Sequence, residues 1–500
     1  MKTKLLFSFF FISVFSNAQI TFQKKFGGAD YEYGKAIIQT ADSGFAVIGN
    51  TSSFGLTSDD IYLLKLNANG TIIWSKTYGG SLDEEGNSIL QTANGDFIIA
   101  GSTSRFANDN KVFLIRTNNI GTIIWTNVIG IADEEKAYSV IETSIGDLVV
   151  SGYTPDGVYL MKLNSSGNLL WAKSYGNNNS NEISSQVIET ANGDYVMVGK
   201  SDSVTENLFL LRTDMNGNLL WNKSYGSCVG KSVLQTSDNG FIISGETRNA
   251  NTDIYVLKTD SLGNVLWSKA YGGASSDYAE SVINDGSGGF MIGASTYSFG
   301  GDDACLLNID ANGNIIWCNT YGIPGAAYGE CVIATTDGGF AFCGELSSDI
   351  FVVKTDSLGN SGCNQNSVLP SVSNYPVVLA NGAVTVTGGN EFTLSAVTGT
   401  PASIETVICS NTAVYENRND KSILIYPNPF STQTVLQTEN LLHNATLTVD
   451  NCFGQTVAQI KHISGQTVVL SRDNLPSGLY FIRLTEDNKT LTTDKLIITD

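Results

Sequence analysis

Residues 61–80 read IYLLKLNANGTIIWSKTYGG, and this stretch decides the fold. Two apolar runs, Ile61 to Leu66 and Thr71 to Trp74, flank the turn NANG, whose Asn and Gly supply the positive φ that a tight hairpin needs. The stretch belongs to a unit of about 50 residues that recurs seven times between Phe26 and Asn360. Each copy runs YGG, an acidic stretch, SVIQT, xxGGFIIAGST, a polar loop, DIYLLKLD and xxGNIIWSK. Six copies end on Trp at the same place: Trp74, Trp125, Trp171, Trp221, Trp267 and Trp317, 46 to 51 residues apart and accounting for every Trp in the chain. A period of this length with four short apolar runs per copy predicts a β-propeller.

The seventh copy ends FVVKTDSLGNSGCN, with Asn360, Ser361 and Gly362 where IIW should stand. The missing strand is at the other end of the chain. ITFQKKFGG (Ile20 to Gly28) aligns with IIWSKTYGG (Ile72 to Gly80), so Phe22 takes the Trp place. Adding it to the last copy predicts seven four-stranded blades over 19–360, closed into a ring by the N-terminal strand, with no exposed edge at the join. Runs such as FAVIG (Phe45 to Gly49) are short, rich in β-branched and aromatic residues, and apolar on both faces, as expected for strands packed between neighbouring blades. No segment after the first 18 residues shows a helical period, so the expected class is all-β.

One Trp per repeat fits a docking role, since each ring can bury about 150–250 Å², roughly 4–6 kcal/mol of gross stabilisation. The hairpin KLNANGTIIWSK also resembles the tryptophan-docking turn of the quinone-cofactor (PQQ-type) dehydrogenase propellers. That resemblance implies docking geometry and not quinone chemistry. Those enzymes carry adjacent disulfide-bonded cysteines near the cofactor, and this chain has no Cys-Cys pair.

Five hundred residues allow two to four domains. The net charge of −20 and the lack of a basic patch argue against a nucleic-acid partner. Only 15% of residues are charged, which suits an extracellular surface rich in Gly, Asn, Ser and Thr. MKTK, the apolar run Leu5 to Phe15 and the small residues Ser16-Asn17-Ala18 read as a signal peptide over 1–18, cut between Ala18 and Gln19. No Cys stands at that cut to take a lipid anchor, and no later run is long enough to span a bilayer as a helix. In an oxidising compartment the cysteines are expected to pair. Cys305 and Cys318 lie symmetrically about the turn Asp310 to Gly313, Cys331 and Cys343 about Asp337, and Cys363 and Cys409 bracket the segment after the repeats. The expected disulfides are Cys305–Cys318, Cys331–Cys343 and Cys363–Cys409, leaving Cys228 and Cys452 over.

Residues 361–421 lack the repeat, carry scattered Pro370, Pro376 and Pro401, and read as a linker or small β module. Residues 422–500 contain, in order, SILIYPNPF (Ser422 to Phe430), NCFGQTV (Asn451 to Val457), LPSGLYFIRL (Leu475 to Leu484) and KLIITD (Lys495 to Asp500). By themselves these are alternating strands separated by Pro, Asn and Gly turns, a small sandwich. Together they resemble the C-terminal type A sorting domain of proteins exported by the bacterial type IX secretion system. The resemblance implies an immunoglobulin-like β-sandwich recognised by the outer-membrane secretion machinery, a secreted or cell-surface location and, in many family members, removal of the domain and attachment of the cargo to surface polysaccharide.

The two histidines, His443 and His462, lie in this terminal domain, so the repeats offer no imidazole for a Ser-His-Asp or Cys-His site. Carboxylates remain, on most connections from a Trp strand to the next copy. An oxygen-only set of this kind suits Ca²⁺, and the candidates are Asp30, Glu32, Asp83, Glu84, Asp133, Glu134, Asp277 and Glu280; the alternative is solvated loop acids and turn caps. Ligand contacts should lie where copies differ, because whatever recurs in every copy is needed by the fold. The loop aromatics Phe54, Phe106, Tyr297 and Phe299 break the repeat's polarity and are the candidates for binding. Two function classes follow: a secreted or surface-displayed binding protein, with a glycan or surface polymer as partner, or a carbohydrate-active enzyme using propeller-face carboxylates.

Overall fold

The computed structural model describes residues 19–499 apart from 56–57, 107–108, 131–133, 156, 177–181, 202–205, 249–250, 324–325, 378, 382–383, 388–389, 393–396, 400–403, 412–422, 452–454, 474 and 487–488, with backbone alone for the strands between 379 and 411. The expected signal peptide and its cut therefore lie outside the described residues. The chain divides into two compact units, 1–413 and 414–500.

The first unit is all-β and propeller-like. Its strands pair as antiparallel meanders, for example Glu32–Gln39, Phe45–Thr51, Asp60–Leu66 and Ile72–Gly79 in the first sheet. The inner strands Glu32–Gln39, Glu84–Gln91, Lys136–Glu142, Ile183–Glu189, Cys228–Gln235, Asp277–Asn284 and Ala327–Ala334 each pack against the next, and the last packs against the first. The circle is closed by Thr21–Gly27, which pairs with Asp349–Thr355. Phe22 lies opposite Lys354 in the register in which Trp74 lies opposite Lys65.

The Trp rings dock as their sequence context suggests. Each lies on the glycine that ends the outer turn of the next sheet: a Cβ on Gly359 would come 2.5 Å from Trp317, and one on Gly70 2.6 Å from Phe22. Both glycines have positive φ, 78° and 72°, so that close approach and backbone conformation call for the same residue. The Asn or Asp opening each turn accepts two backbone N–H groups, as Asp310 Oδ1 does from Asn312 and Asn314. Beside each docked ring a buried tyrosine reaches the same glycine's carbonyl: Tyr78 to Gly121 at 2.8 Å, Tyr175 to Gly217 at 2.7 Å and Tyr321 to Gly359 at 2.6 Å. In the second sheet Ile129 replaces the tyrosine, and Asn127 Nδ2 makes the bond to Gly167 instead, at 2.6 Å. At the ring's join, Phe22 and Phe26 are fully buried and pack without a hydroxyl. A second recurrent device ties the inner hairpin turn to the third strand, as in Lys65–Asp42, Arg116–Asp96, Arg212–Asp194 and Lys258–Asp238.

Residues 361–411 depart from the expected linker or separate module. They run back around the first unit, adding one strand to the outer strand of each repeat in turn; the third and fourth repeats are joined into one sheet where Tyr153 pairs with Ile183. Gln365–Ser367 pairs with Ile315–Tyr321, Ser371–Asn374 with Val265–Gly272, Leu379–Asn381 with Leu219–Tyr225 and Val384–Thr387 with Leu169–Gly176. Asn390–Phe392 then pairs with Ile123–Gly130, Val397–Gly399 with Ile72–Gly79, and Ile404–Asn411 with Thr21–Gly27. Outer strands would otherwise present a row of unpaired backbone groups. The belt covers part of that row on six outer strands and, on Thr21–Gly27, the whole length of the closing strand.

The cysteines also differ from expectation. Cys305 and Cys318 face one another with sulfurs 3.2 Å apart, too far for an S–S bond, and both are thiols. Their backbones sit diagonally, Cys305 opposite Thr320 and Cys318 opposite Leu307. Cys331 and Cys343 are directly opposite in register and are likewise thiols, with the Cys331 sulfur turned toward the Ile37 carbonyl. Cys363 is disulfide-bonded. The side chain of its expected partner Cys409 is outside those described, but the Cys409 backbone lies opposite Gln23, whose amide donates to the Cys363 carbonyl at 2.6 Å.

In the second unit Ile423–Tyr426, Gln433–Asn451, Thr456–Ser471, Gly478–Glu486 and Lys489–Ile498 form one sheet. The two long strands shift register between Gln437 and Leu447, and residues from both of their halves, Leu436 and Leu470 with Leu447 and Val449, share one core with Ile482 of Gly478–Glu486. Among the described residues no helix is long and apolar enough to cross a membrane.

Candidate functional site

Every inner strand of the first unit carries one bulge, at the same place. The ladder skips a residue between Gly34 and Ala36, Gly86 and Ser88, Ala137 and Ser139, Ser184 and Gln186, Gly230 and Ser232, Ala279 and Ser281, and Gly329 and Cys331. The seven skipped residues are Lys35, Asn87, Tyr138, Ser185, Lys231, Glu280 and Glu330, and all line a single cavity of about 620 Å³ bounded by the inner strands. A bulge re-aims its side chain and frees it from the strand's alternation. The residue after the bulge is structural: Ser139, Ser232 and Ser281 accept from the backbone N–H of Val187, Val282 and Val332 of the following sheet, at 3.2, 3.2 and 2.9 Å. Backbone and neighbour thus repeat while the bulged side chain does not.

Charge on this wall is arranged in pairs. Lys35 meets Glu330 at 3.0 Å, Lys231 meets Glu280 at 3.0 Å and Glu246 at 3.1 Å, and Arg248 meets Glu246 at 3.2 Å. Glu85 is held by Lys136 at 2.9 Å and Lys200 by Glu206 at 2.6 Å. Burial pushes the Glu280 carboxyl up, and the nearby Glu330 and Glu246 add to the rise; Lys231 opposes it, and the group settles at about 7. Burial alone would lower Lys35, but Glu330 outweighs it and the ammonium is held above its ordinary range. Tyr138 is pushed up to about 12 by burial and then by Glu85. Two residues before the bulge, Tyr33 also lines the cavity, and the equivalent position holds Tyr278 and Tyr328 in the sixth and seventh repeats. Lys35 lies over the Tyr33 ring, 5.1 Å from its centroid.

Of the sequence candidates, Glu280 is on this wall. Glu32 is fully buried and caps its own loop, accepting from Thr51 Oγ1 at 2.6 Å and Gly28 N at 2.7 Å. Glu84 does the same for Gly80 and Thr103, and Asp277 for Gly273, Thr296 and Ser298. Asp30, Asp83 and Glu134 are exposed, and Asp133 lies outside the described residues. Among the described residues no group of three or more His, Cys, Asp and Glu is placed to hold a metal ion. Tyr297 packs between two tyrosines of neighbouring inner strands, its ring 5.9 Å from Tyr278 and 6.2 Å from Tyr328. Phe54 and Phe299 lie half-buried over Gly28 and Gly273, Phe54 with its ring 5.6 Å from Tyr62. The side chain of Phe106 is outside those described. Sequence reading missed Lys35, Asn87, Tyr138, Ser185 and Lys231, although the rule that ligand contacts lie where copies differ would have found them had the repeats been aligned on the inner strand.

Residues 424–499 match the family described as the secretion system C-terminal sorting domain. No curated protein is found to be similar to the chain. Among solved structures it is similar to a protein of unknown function from Dyadobacter fermentans, at 11% identity over 57% of this chain and 97% of that one, TM-score 0.36. It is also similar to Sqt1 from Chaetomium thermophilum, at 12% identity over 64% and 81%, TM-score 0.41. A third is Drosophila Plexin A in complex with Semaphorin 1b, at 9% identity over 67% and 87%, TM-score 0.39. At these scores the likenesses carry no argument. The terminal match does: the chain carries, at residues 424–499, the sorting domain by which the type IX secretion machinery takes proteins to the cell surface or beyond it.

Proposed function

We propose that the chain is a secreted or surface-displayed binding protein whose seven-bladed β-propeller takes its ligand, a glycan or surface polymer, into the mouth of the central channel. The immunoglobulin-like reading of residues 422–500 belongs with it, as the export module of this cargo. One observation carries the binding reading: seven equivalent bulges present Lys, Asn, Tyr, Ser, Lys, Glu and Glu to one cavity. A fold that needed only closure would have repeated one residue there. Titration calorimetry of the full chain against solubilised cell-surface polysaccharide tests it, with binding expected and lost in Tyr138→Ala and Lys231→Met. Unchanged heats in both variants overturn the channel as the site.

The second reading is a carbohydrate-active enzyme, favoured by Glu280 and Glu330, which sit on equivalent bulges of adjacent sheets in one cavity. Each is held against a lysine at 3.0 Å, whereas an acid or base must reach a proton of the substrate. Release of reducing ends by the purified chain, abolished in Glu280→Gln, would put the enzyme first.

A further inference from the structure

Resting on the channel reading above, we infer that the ligand is an uncharged carbohydrate, seated with its rings against Tyr33 and Tyr138. The charges of the wall carry the argument. Its charged lining residues are four cations, Lys35, Lys200, Lys231 and Arg248, and four anions, Glu85, Glu246, Glu280 and Glu330. Each is already in an ion pair of 3.2 Å or less. A uronic acid or an amino sugar would enter a half-buried place where no counter-charge is free. It would have to break a pair and strand its partner, or lose its own hydration uncompensated. Hydroxyl groups face neither cost, because each both donates and accepts and can join existing pairs without a change of charge. The amides and hydroxyls of Asn50, Asn87 and Ser185 extend the same mixed lining. Tyr33 and Tyr138 add aromatic faces to the lining, suited to the apolar C–H faces of sugar rings. The cavity of about 620 Å³ holds the end of a chain and lies in the range of small-ligand sites.

The test is a glycan array followed by calorimetry on the full chain, with neutral, uronic-acid and amino-sugar oligosaccharides at about 50 and about 500 mM salt. Neutral members are expected to bind, with less than about twofold change in affinity between the salts. Asn87→Lys places an unpaired cation on the wall; it should weaken the neutral ligand by about tenfold and recruit uronic-acid members in a salt-dependent way. Tyr33→Ala should weaken the neutral ligand while leaving the melting temperature close to that of the parent chain. A parent chain that prefers charged members with steep salt dependence, still perturbed by Asn87→Lys, overturns the uncharged class and leaves the channel as the site. Binding indifferent to both variants overturns the channel reading itself, and no binding by any member overturns both.

Discussion

At the outer end of each sheet the chain repeats one solution. An aromatic ring lies on a glycine of the next sheet, an Asn or Asp holds that turn, and in five junctions a tyrosine hydroxyl bonds the glycine's carbonyl. At the inner end, on the same sheets, the backbone repeats as faithfully, down to a bulge at one position, yet the bulged residues run Lys, Asn, Tyr, Ser, Lys, Glu, Glu. Packing selects the outer residues, since close approach tolerates little else. The inner residues face a cavity, where packing asks for nothing in particular. Repetition therefore marks what holds the ring together, and its failure marks what the ring presents.

The hardest blow to the outer end should be Phe22→Ala. Phe22 is fully buried, with its ring 6.2 Å from Phe45, as that of Trp74 is 6.2 Å from Phe97. Its junction also lacks the tyrosine bond, so nothing nearby compensates. A loss of about 3–5 kcal/mol is expected in denaturant unfolding. A midpoint unchanged from the parent would mean that the N-terminal strand does not close the ring. Tyr138→Phe, at the inner end, should stay within about 0.5 kcal/mol.

The belt comes next. Val372→Pro together with Ser373→Pro removes the one N–H of this adjacent pair that points to Val265–Gly272 and locks the backbone of an edge strand. A loss of about 1–3 kcal/mol is expected, with faster hydrogen exchange confined to Val265–Gly272. Exchange spread over all sheets would show that the belt acts as a single clamp.

These two cases also mark what could be read beforehand. Closure by Phe22 was legible because a missing Trp and an extra strand complement each other at opposite ends of the chain. The belt was not, because three- and four-residue strands that bind through backbone alone leave no apolar period. A trace was present in the spacing of Pro370, Pro376, Gly382 and Gly388, six apart and separating the first five of the seven added strands. The channel wall was hidden for a different reason. Lys35 and Lys231 read as ordinary strand polars until the bulge turns them inward, and a one-residue register shift cannot be seen in a single sequence. The acids nearest the loops, Glu32 and Glu84, drew attention because they recur, which is the mark of a structural role.

A smaller effect should come from the staples between inner turn and third strand. Lys258 pairs with Asp238 at 2.9 Å, and the aspartate, half exposed, is held down to about 2, first by Thr236 and then by Lys258. The sixth sheet has Asn308 in the lysine's place, reaching Asp285 at 3.3 Å, and folds alike. Lys258→Asn should therefore cost about 1 kcal/mol or less, as water screens the exposed carboxylate. A loss several times larger would move the lysine from repeated convenience to a keystone of its sheet.

The finest test of the contrast is the pH dependence of Glu280→Gln. At the outer end no charge depends on the cavity, whereas Glu280 is raised from its ordinary 4.5 to about 7 by burial and by its acidic neighbours. A carboxyl raised on folding binds its proton more tightly in the native state than in the unfolded chain. Between about 4.5 and 7 the native state then holds more protons, so stability falls as pH rises through that window and levels off above it. Glu280→Gln cannot ionise, and it leaves Lys231 its second partner, Glu246, at 3.1 Å. The difference in stability between parent and variant should thus shift in the variant's favour from pH 4.5 to 7 and stay flat beyond, in melting temperatures recorded across the range. A parent chain that gains stability relative to the variant over the same interval would mean that Lys231 dominates the pair. Glu280 would then be held ionised, a fixed anion of the wall whose charge never has to be given up.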